Sequence, residues 1–150
     1  YPVMTSWIDT TIHYNIWLVL VFHGIEGIGW EALSAETIQN YYNYIKNNEE
    51  NIWVATFQDG YKYIIERMHS KISESIDNGT ILVELATDLD KSVFDIPLTL
   101  KTKIPSDWKM VHVQHGNNKR VIDAVSTGKD NYVIYNVSAG ESPVRLSKAL

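Results

Sequence analysis

An uninterrupted apolar run, Ile16–Phe22, constrains the fold of this chain more than any other feature of its sequence. The run does not alternate between apolar and polar residues, so it predicts a parallel strand that is buried on both faces. It ends abruptly at His23-Gly24, and Gly27 and Gly29 predict that a loop follows. The run is far shorter than the roughly 18 apolar residues that a membrane span needs, and no longer run occurs. We therefore expect no membrane span.

Helix and strand alternate after this loop. Ser34 predicts a helix N-cap, and Glu36 in the first turn suits the helix dipole. The predicted apolar stripe of this helix, which ends at 46–48, consists of Ile38, Tyr41, Tyr42 and Ile45. A second buried strand is predicted over 52–57, and Asp59 can cap a second helix with the stripe Tyr61, Ile64, Ile65, Met68 and Ile72.

This order of elements is the βαβα pattern of a parallel sheet with helices packed outside it. Two strands do not form a stable parallel sheet by themselves, because the edges and faces of so small a sheet stay uncovered. We therefore expect this region to be the tail of a larger barrel or open sheet, and the chain to be a piece of a longer protein.

The remainder of the chain predicts an antiparallel β structure. Several segments alternate between apolar and polar residues, and turn residues separate them at short, regular intervals. The predicted strands cover 80–87, 95–103, 108–114, 119–125 and 132–137. The best hairpin candidate is 115–119, because Gly116 and the asparagines after it tolerate positive φ. This rhythm is typical of a small antiparallel β-sandwich.

Composition also changes along the chain. Residues 1–78 hold four basic against ten acidic residues and 13 of the 17 aromatic residues, whereas residues 79–150 hold nine basic against eight acidic residues. The change lies beside Asp77-Asn78-Gly79, so we expect two domains, 1–78 and 79–150. The net charge of −5 argues against a nucleic-acid partner. The chain has no cysteine, which excludes a disulfide scaffold.

The histidines are the main candidates for chemistry. His112 and His115 are three residues apart on a predicted strand, so they point to opposite faces and are not expected to bind one metal. The sequence contains no HExxH, GxGxxG, Walker or GxSxG motif, and we predict no metal ligands. His23 differs from the others because it follows the carboxyl end of a buried parallel strand, the place where α/β proteins bind ligands. Position alone leaves open whether His23 is a proton donor or only stabilises its loop.

Several segments together suggest a family. The sequence resembles the last part of polysaccharide deacetylases, a carbohydrate esterase family in which a late barrel strand ends in a Leu-x-His motif. Val21-Phe22-His23 corresponds to that motif, and the resemblance covers about Trp7 to Arg67. It rests on Trp17–Gly24, Trp30, Leu33-Ser34-Ala35-Glu36, Trp53–Phe57 and Tyr63-Ile64.

The resemblance implies a distorted (β/α) barrel that removes acetyl groups from acetylated polysaccharides or oligosaccharides. It implies that His23 is the general acid that protonates the leaving amine or alcohol. The leucine of the motif, which lines the acetyl pocket, corresponds to the smaller Val21. In this family an Asp and two His hold a divalent metal, usually zinc, and a second Asp is the base. A substrate of this class implies a periplasmic or extracellular location.

The chain lacks counterparts of the family's early Asp-Asp, His-xxx-His and Arg-containing motifs. Metal-assisted hydrolysis needs the metal to generate the nucleophile and stabilise the oxyanion. We therefore expect this chain to bind no metal and to have no deacetylase activity alone.

Alternatives remain open. Trp30 can stack on a pyranose ring or pack its loop onto the barrel. The β region can be a non-catalytic carbohydrate-binding or structural module, and Trp108 distinguishes these two, because an exposed Trp108 favours binding and a buried one favours a structural role. In a third interpretation the protein is an unrelated α+β protein in which His23 has no catalytic role. An uncovered sheet edge is also compatible with a homodimer.

Overall fold

The computed structural model describes residues 2–149 and divides into two units, Tyr1–Phe57 and Gln58–Leu150. It is a mixed α/β structure with three helices and several antiparallel sheets among the described residues. The domain boundary predicted after residue 78 falls in a hairpin turn of the second unit. The elements are α1 (Pro2–Tyr14), β1 (Gly24–Ile25), β2 (Ile28–Gly29), α2 (Ala35–Asn47), α3 (Phe57–His69), β3 (Ser70–Asp77), β4 (Thr80–Thr87), β5 (Leu98–Ile104), β6 (Met110–His115), β7 (Asn118–Asp123), β8 (Val125–Thr127), β9 (Asp130–Val137) and β10 (Val144–Lys148).

The first unit is built on α1 and α2. The predicted start and end of α2 are confirmed, since the Ser34 hydroxyl accepts a hydrogen bond from the Thr37 N–H at 3.1 Å and Asn48 forms the C-cap. Tyr41 is fully buried on this helix, whereas Tyr42 is half exposed. The Tyr44 hydroxyl donates a hydrogen bond to the Asp9 carboxylate of α1. The N-cap and the apolar stripe therefore placed this helix correctly from sequence.

The two buried parallel strands predicted in this unit are not observed. Residues 16–23 and 52–56 belong to no strand among the described residues, and a (β/α) barrel portion is not shown. Val21 is 72% exposed and Val54 is 66% exposed. A parallel strand is buried only where neighbouring strands and helices cover both of its faces, and the described part of the first unit provides no such sheet. The apolar composition of these two segments is typical of buried strands, but it does not show whether the adjacent strands and helices that would bury them are present.

The predicted antiparallel β region is observed in the second unit. One sheet has the strand order β3-β4-β10-β6-β7 and the other has the order β5-β9-β8, with every pair antiparallel. The predicted hairpin at 115–119 is confirmed, because His115 pairs with Asn118 across the β6–β7 turn and Gly116 has a φ of 56°.

Both sheets contribute to one hydrophobic core, so the arrangement is β-sandwich-like. The buried residues alternate along the strands as the period-2 pattern predicted. The five-stranded sheet supplies Ile81, Val83, Leu85, Val111, Val113, Val144 and Leu146, and the three-stranded sheet supplies Leu98, Leu100, Ile104, Val133, Tyr135 and Val137.

The second helix and the strand after it differ from the prediction. The predicted apolar stripe is largely exposed in α3, where Met68 is 74% exposed, and Ile72 lies in β3. The buried side of α3 instead carries Glu66, whose carboxylate accepts the Ile96 N–H at 2.8 Å, and Tyr63 packs against the core of the sheets. Ile72 follows Met68 by four residues, which fits helical spacing even though Ile72 lies in a strand. The apolar spacing therefore did not show where α3 ends.

Three lysine–aspartate pairs join separate segments of the second unit. The ammonium-to-carboxylate distances are 2.7 Å for Lys62–Asp95, 2.7 Å for Lys103–Asp130 and 2.6 Å for Lys148–Asp107. The hydrogen bond from the lysine is the main reason that the pKa of each aspartate lies below its ordinary value. Each pair therefore favours the folded state only while its carboxyl group is ionised.

The core predicts a stability difference between two valines on neighbouring strands. Val111→Ala in β6 removes the two methyl groups of a fully buried side chain, so we expect the free energy of unfolding to fall by about 1.5–3 kcal/mol. Val121→Ala in β7, where the side chain is 51% exposed, is the matched control and should change the free energy by less than about 0.5 kcal/mol. Urea denaturation measures both, and equal losses would contradict the assignment of this core.

The ion pairs predict loss of stability in acid. The folded-state pKa of Asp95 is lower than that of the unfolded chain, so the stabilisation is complete above the ordinary carboxyl pKa of about 4 and is lost as the pH falls below it. Asp95→Asn should reduce this decline of stability between about pH 5 and pH 2. Asp123→Asn, at an exposed position in β7, should leave the decline unchanged. Denaturation midpoints measured across this pH range compare the two, and identical profiles would contradict the prediction.

Candidate functional site

An open apolar groove of about 570 Å³ lies in the first unit. The segment that follows α1 forms most of its lining, and the rest comes from α1 and from the loop before α2. The lining residues are Met4, Trp7, Leu18, Val19, Leu20, Val21, Phe22, His23, Glu31 and Leu33. The groove therefore brings together two of the three predicted site residues, His23 and Val21.

The third predicted residue, Trp30, contacts His23 directly. The centres of the two rings are 4.9 Å apart and their planes meet at 68°, which is an edge-to-face arrangement. His23 is exposed and Trp30 is 66% exposed. The imidazole therefore lies at the rim of the groove, in contact with solvent on one side and with an exposed aromatic ring on the other.

A close approach of two glycines fixes the backbone at His23. β1 and β2 form a two-stranded antiparallel ladder in which Gly24 faces Gly29. A Cβ atom on Gly24 would lie 1.8 Å from the Ile28 carbonyl oxygen, and one on Gly29 would lie 2.2 Å from the His23 carbonyl oxygen. Gly29 also has a φ of 99°, which disfavours side chains. Only glycine fits at either position, so the glycines that predicted a loop in fact form a tight hairpin that determines where His23 lies.

Hydrogen bonds connect this hairpin to the start of α2. The Leu33 N–H donates to the Gly24 carbonyl at 3.1 Å, and the Glu26 N–H donates to the Leu33 carbonyl at 2.9 Å. The Glu26 carboxylate also accepts the N–H of Ala35, the first residue of α2. An acidic side chain at a helix N-terminus satisfies a free N–H and interacts favourably with the helix dipole. Glu26 therefore holds the hairpin in place and is not free to act in the groove.

Aromatic residues of α2 contact the groove-lining segment at the residue just before His23. The Phe22 ring lies 6.4 Å from the Tyr41 ring and 6.1 Å from the Tyr42 ring, both in edge-to-face geometry. Burial raises the pKa of Tyr41 above its ordinary value. Phe22 is partly buried, whereas the residues before and after it, Val21 and His23, are exposed. Because successive side chains of an extended segment point in opposite directions, packing of Phe22 on α2 directs Val21 and His23 away from the helix.

The sequence analysis did not identify Glu31 as a site residue. Its backbone has a φ of 46°, and its carboxylate is the one acidic group among the described residues that line the groove. A carboxylate beside an imidazole-bearing groove could accept a proton or a hydrogen bond from a ligand hydroxyl. The glutamate one residue after Trp30, in the same loop as His23, was the signal that could have identified it.

The other histidines lie outside this groove. His112 and His115 are three residues apart on β6, so their side chains point to opposite faces, as predicted. The His115 Nε2 atom is 3.4 Å from a Glu141 carboxylate oxygen. His69 Nδ1 lies 3.0 Å from the Asp88 carboxylate. Within residues 2–149, no three His, Asp or Glu side chains are placed so that they could hold a metal ion.

Trp108 is 7% exposed and belongs to the core of the second unit. It is therefore not available as a platform for a sugar ring. No helix among residues 2–149 is both long enough and apolar enough to cross a membrane.

Comparisons with known proteins identify no relative of this chain. No protein-family model matches it, and neither a curated protein nor a solved structure matches it significantly. A functional assignment therefore depends on the residues of the groove themselves.

The glycine pair predicts a local effect on His23. Gly29→Ala should displace the hairpin, because the new methyl group would overlap the His23 carbonyl oxygen. Gly27→Ala is the matched control, since it also has a positive φ, 76°, but its new methyl group meets nothing within 4 Å.

We expect the imidazole NMR signals of His23 to move in Gly29→Ala, because the Trp30 ring current that acts on them changes, and to stay nearly in place in Gly27→Ala. The measurement is a ¹H–¹³C spectrum of histidine-labelled protein. Similar shifts in both variants would show that backbone conformation, and not the close approach, controls the position of His23.

Proposed function

We propose that this chain is the C-terminal part of a metal-dependent polysaccharide deacetylase, in which His23 is the general acid. The observation that carries this proposal is that Val21 and His23 line one apolar groove and that the His23 ring contacts the exposed ring of Trp30. The motif at Val21-Phe22-His23, which resembles that of the family, supports the same assignment.

The proposed role of His23 is to donate a proton to the leaving group. Cleavage of an amide or ester leaves an amine or an alkoxide, which is a poor leaving group until it is protonated. Imidazole is suited to this step, because it changes its charge near neutral pH. An exposed ring at the rim of a groove can reach a sugar that lies across the rim and can exchange its proton with solvent afterwards.

Val21 and Trp30 would bind the two parts of the substrate. Val21 would contact the acetyl methyl group, since its side chain keeps this wall of the groove apolar. The Trp30 ring would stack on the C–H face of a pyranose, as exposed tryptophans can. Its contact with His23 would then place the sugar beside the proton donor.

The metal site of such an enzyme is not formed by the described residues. No suitable set of His, Asp and Glu side chains occurs within residues 2–149. Zinc and the general base would have to be held by other parts of the longer protein, and we assign this chain only proton donation and sugar binding.

Sugar binding tests this proposal. Addition of a chitin oligosaccharide should shift the NMR signals of the His23 and Trp30 side chains in a saturable way. Trp30→Leu should weaken this binding at least about threefold, because an aromatic ring that stacks on a sugar contributes on the order of 1 kcal/mol, whereas Trp30→Tyr should retain most of the binding. Ile28→Ala, at an exposed position in the same hairpin, is the control and should have no effect.

No shift with any acetylated oligosaccharide, or equal binding by the Trp30→Leu variant, would contradict the proposed sugar site.

A measurement of acetate release tests whether the metal site and the general base lie outside this chain. The chain alone, with zinc added, should release no acetate from acetylated oligosaccharides above the background rate, because it lacks the ligands and the base that metal-assisted hydrolysis requires. An enzyme-coupled acetate assay measures this. Turnover that His23→Ala abolishes would show that the chain is a complete enzyme and would contradict the assignment of the metal site to another part of the protein.

A structural role is the alternative that we favour for the second unit. Trp108 is buried in the core, so its ring cannot stack on a sugar. The second unit would then be a β-sandwich-like module that accompanies the deacetylase without binding its substrate.

A further inference from the structure

The geometry of the second unit points to an interface between two copies of this chain, in which β3 pairs antiparallel with β3 of the partner subunit. β3 is the first strand of the five-stranded sheet and, within residues 2–149, pairs only with β4. Seven of its eight residues are exposed, and the strand contains no proline that would prevent further pairing.

The core-side face of β3 is apolar but uncovered. Ile72 lies opposite Leu85 and Ile76 lies opposite Ile81 in the β3–β4 ladder, so both isoleucines face the same side of the sheet as the core. Leu85 and Ile81 are buried, yet Ile72 is 58% exposed and Ile76 is 77% exposed. The second sheet therefore covers β4 but does not cover β3.

The free edge of β3 also carries unused backbone hydrogen-bonding groups. Asp77 and Thr80 close the two-residue turn Asn78-Gly79, whose φ values of 46° and 78° are those of a type I′ turn. Hydrogen-bonded and non-hydrogen-bonded pairs alternate from this turn along the ladder. The N–H and C=O groups of Ile72, Glu74 and Ile76 therefore point away from β4, toward the free edge.

The sequence of β3 is complementary to itself in one antiparallel register. With the two-fold axis at Glu74, Ile72 faces Ile76 of the partner subunit on the core side, and Lys71 faces Asp77 of the partner subunit on the outer side. Each of these pairs occurs twice. In registers shifted by two residues in either direction, an isoleucine would face Glu74 and no lysine would face an aspartate.

The charged residues of this register are free to make these contacts. Among residues 2–149, neither Lys71 nor Asp77 belongs to an ion pair, and Asp77 accepts one hydrogen bond, from the Asn78 side chain at 3.0 Å. The two residues lie at opposite ends of β3 and cannot reach each other within one chain. A Lys71–Asp77 interaction therefore forms only between two copies.

Glu74 is the one unfavourable residue, because it faces its own copy at the two-fold axis. This repulsion occurs once, against four favourable side-chain pairs and the backbone hydrogen bonds of the free edge. An inward-facing charge also limits unspecific pairing of an edge strand. The interface is therefore closed and specific, and it uses the free edge of β3 in both copies, so the β3 edge does not lead to a fibre.

A charge exchange tests this interface in the full chain. Sedimentation equilibrium should show a concentration-dependent dimer. Lys71→Glu replaces two favourable pairs by two like-charge pairs and should weaken the dimer at least about tenfold. The double variant Lys71→Glu with Asp77→Lys should restore the dissociation constant to within about threefold. Lys119→Glu, on the opposite edge strand, changes the net charge as Lys71→Glu does and is the control that should have no effect.

Glu74→Gln should tighten the dimer, because it removes the one repulsive pair. Circular dichroism should show that every variant remains folded. Amide hydrogen exchange at Ile72, Glu74 and Ile76 should slow as the protein concentration increases, while exchange at Ser73 and Ser75 should not. A protein that stays monomeric, a charge exchange that fails to restore the dimer, or a dimer that leaves these β3 amides unprotected would overturn the proposal.

Discussion

Apolar strands are stable in water only where other elements cover their faces and edges, and this requirement decides the structure of each unit. In the second unit two antiparallel sheets cover each other, and the alternating apolar residues of strands such as β6 and β9 are almost fully buried. In the described residues of the first unit no sheet covers the apolar segment 16–22, and Val21 stays exposed. β3 lies between these extremes, because its pairing with β4 is complete but its apolar face is not covered.

The groove of the first unit is present because the apolar segment 16–22 is only partly covered by other residues. Leu18, Leu20 and Phe22 are partly buried while the residues between them remain exposed, and residues of both sets line the groove. The Gly24–Gly29 approach then turns the chain immediately after His23. Support from Tyr41 on one side and from the hairpin on the other gives the imidazole a defined position in an otherwise open part of the molecule.

Sequence patterns predicted helices, strands and turns well where residues close in the chain carry a clear signal, such as a cap, a periodic spacing or a turn glycine. The Ser34 cap, the spacing of the apolar stripe of α2 and the 115–119 hairpin involve residues close in the chain. The period-2 alternation of β4, β6 and β9 is also visible in the sequence, although the burial of its apolar residues comes from packing of one sheet on the other. The same patterns were less successful where an element depends on contacts with residues distant in the sequence. Ile72 fits the helical spacing of α3 but lies in β3, and the buried contact of α3 is made by Glu66 with Ile96, which no apolar pattern indicates.

The sequence by itself determined that Val21 and His23 are two residues apart at the end of an apolar segment, that glycines follow them, and that an antiparallel β region occupies the second half. Only the tertiary structure decided that Trp30 contacts the imidazole, that Glu31 lines the same groove, that Trp108 is buried, and that the apolar edge strand β3 is paired on one side and free on the other among the described residues. The physical reason is that propensity, capping and periodicity act over a few residues, whereas burial and edge pairing depend on which distant segments are present to provide cover.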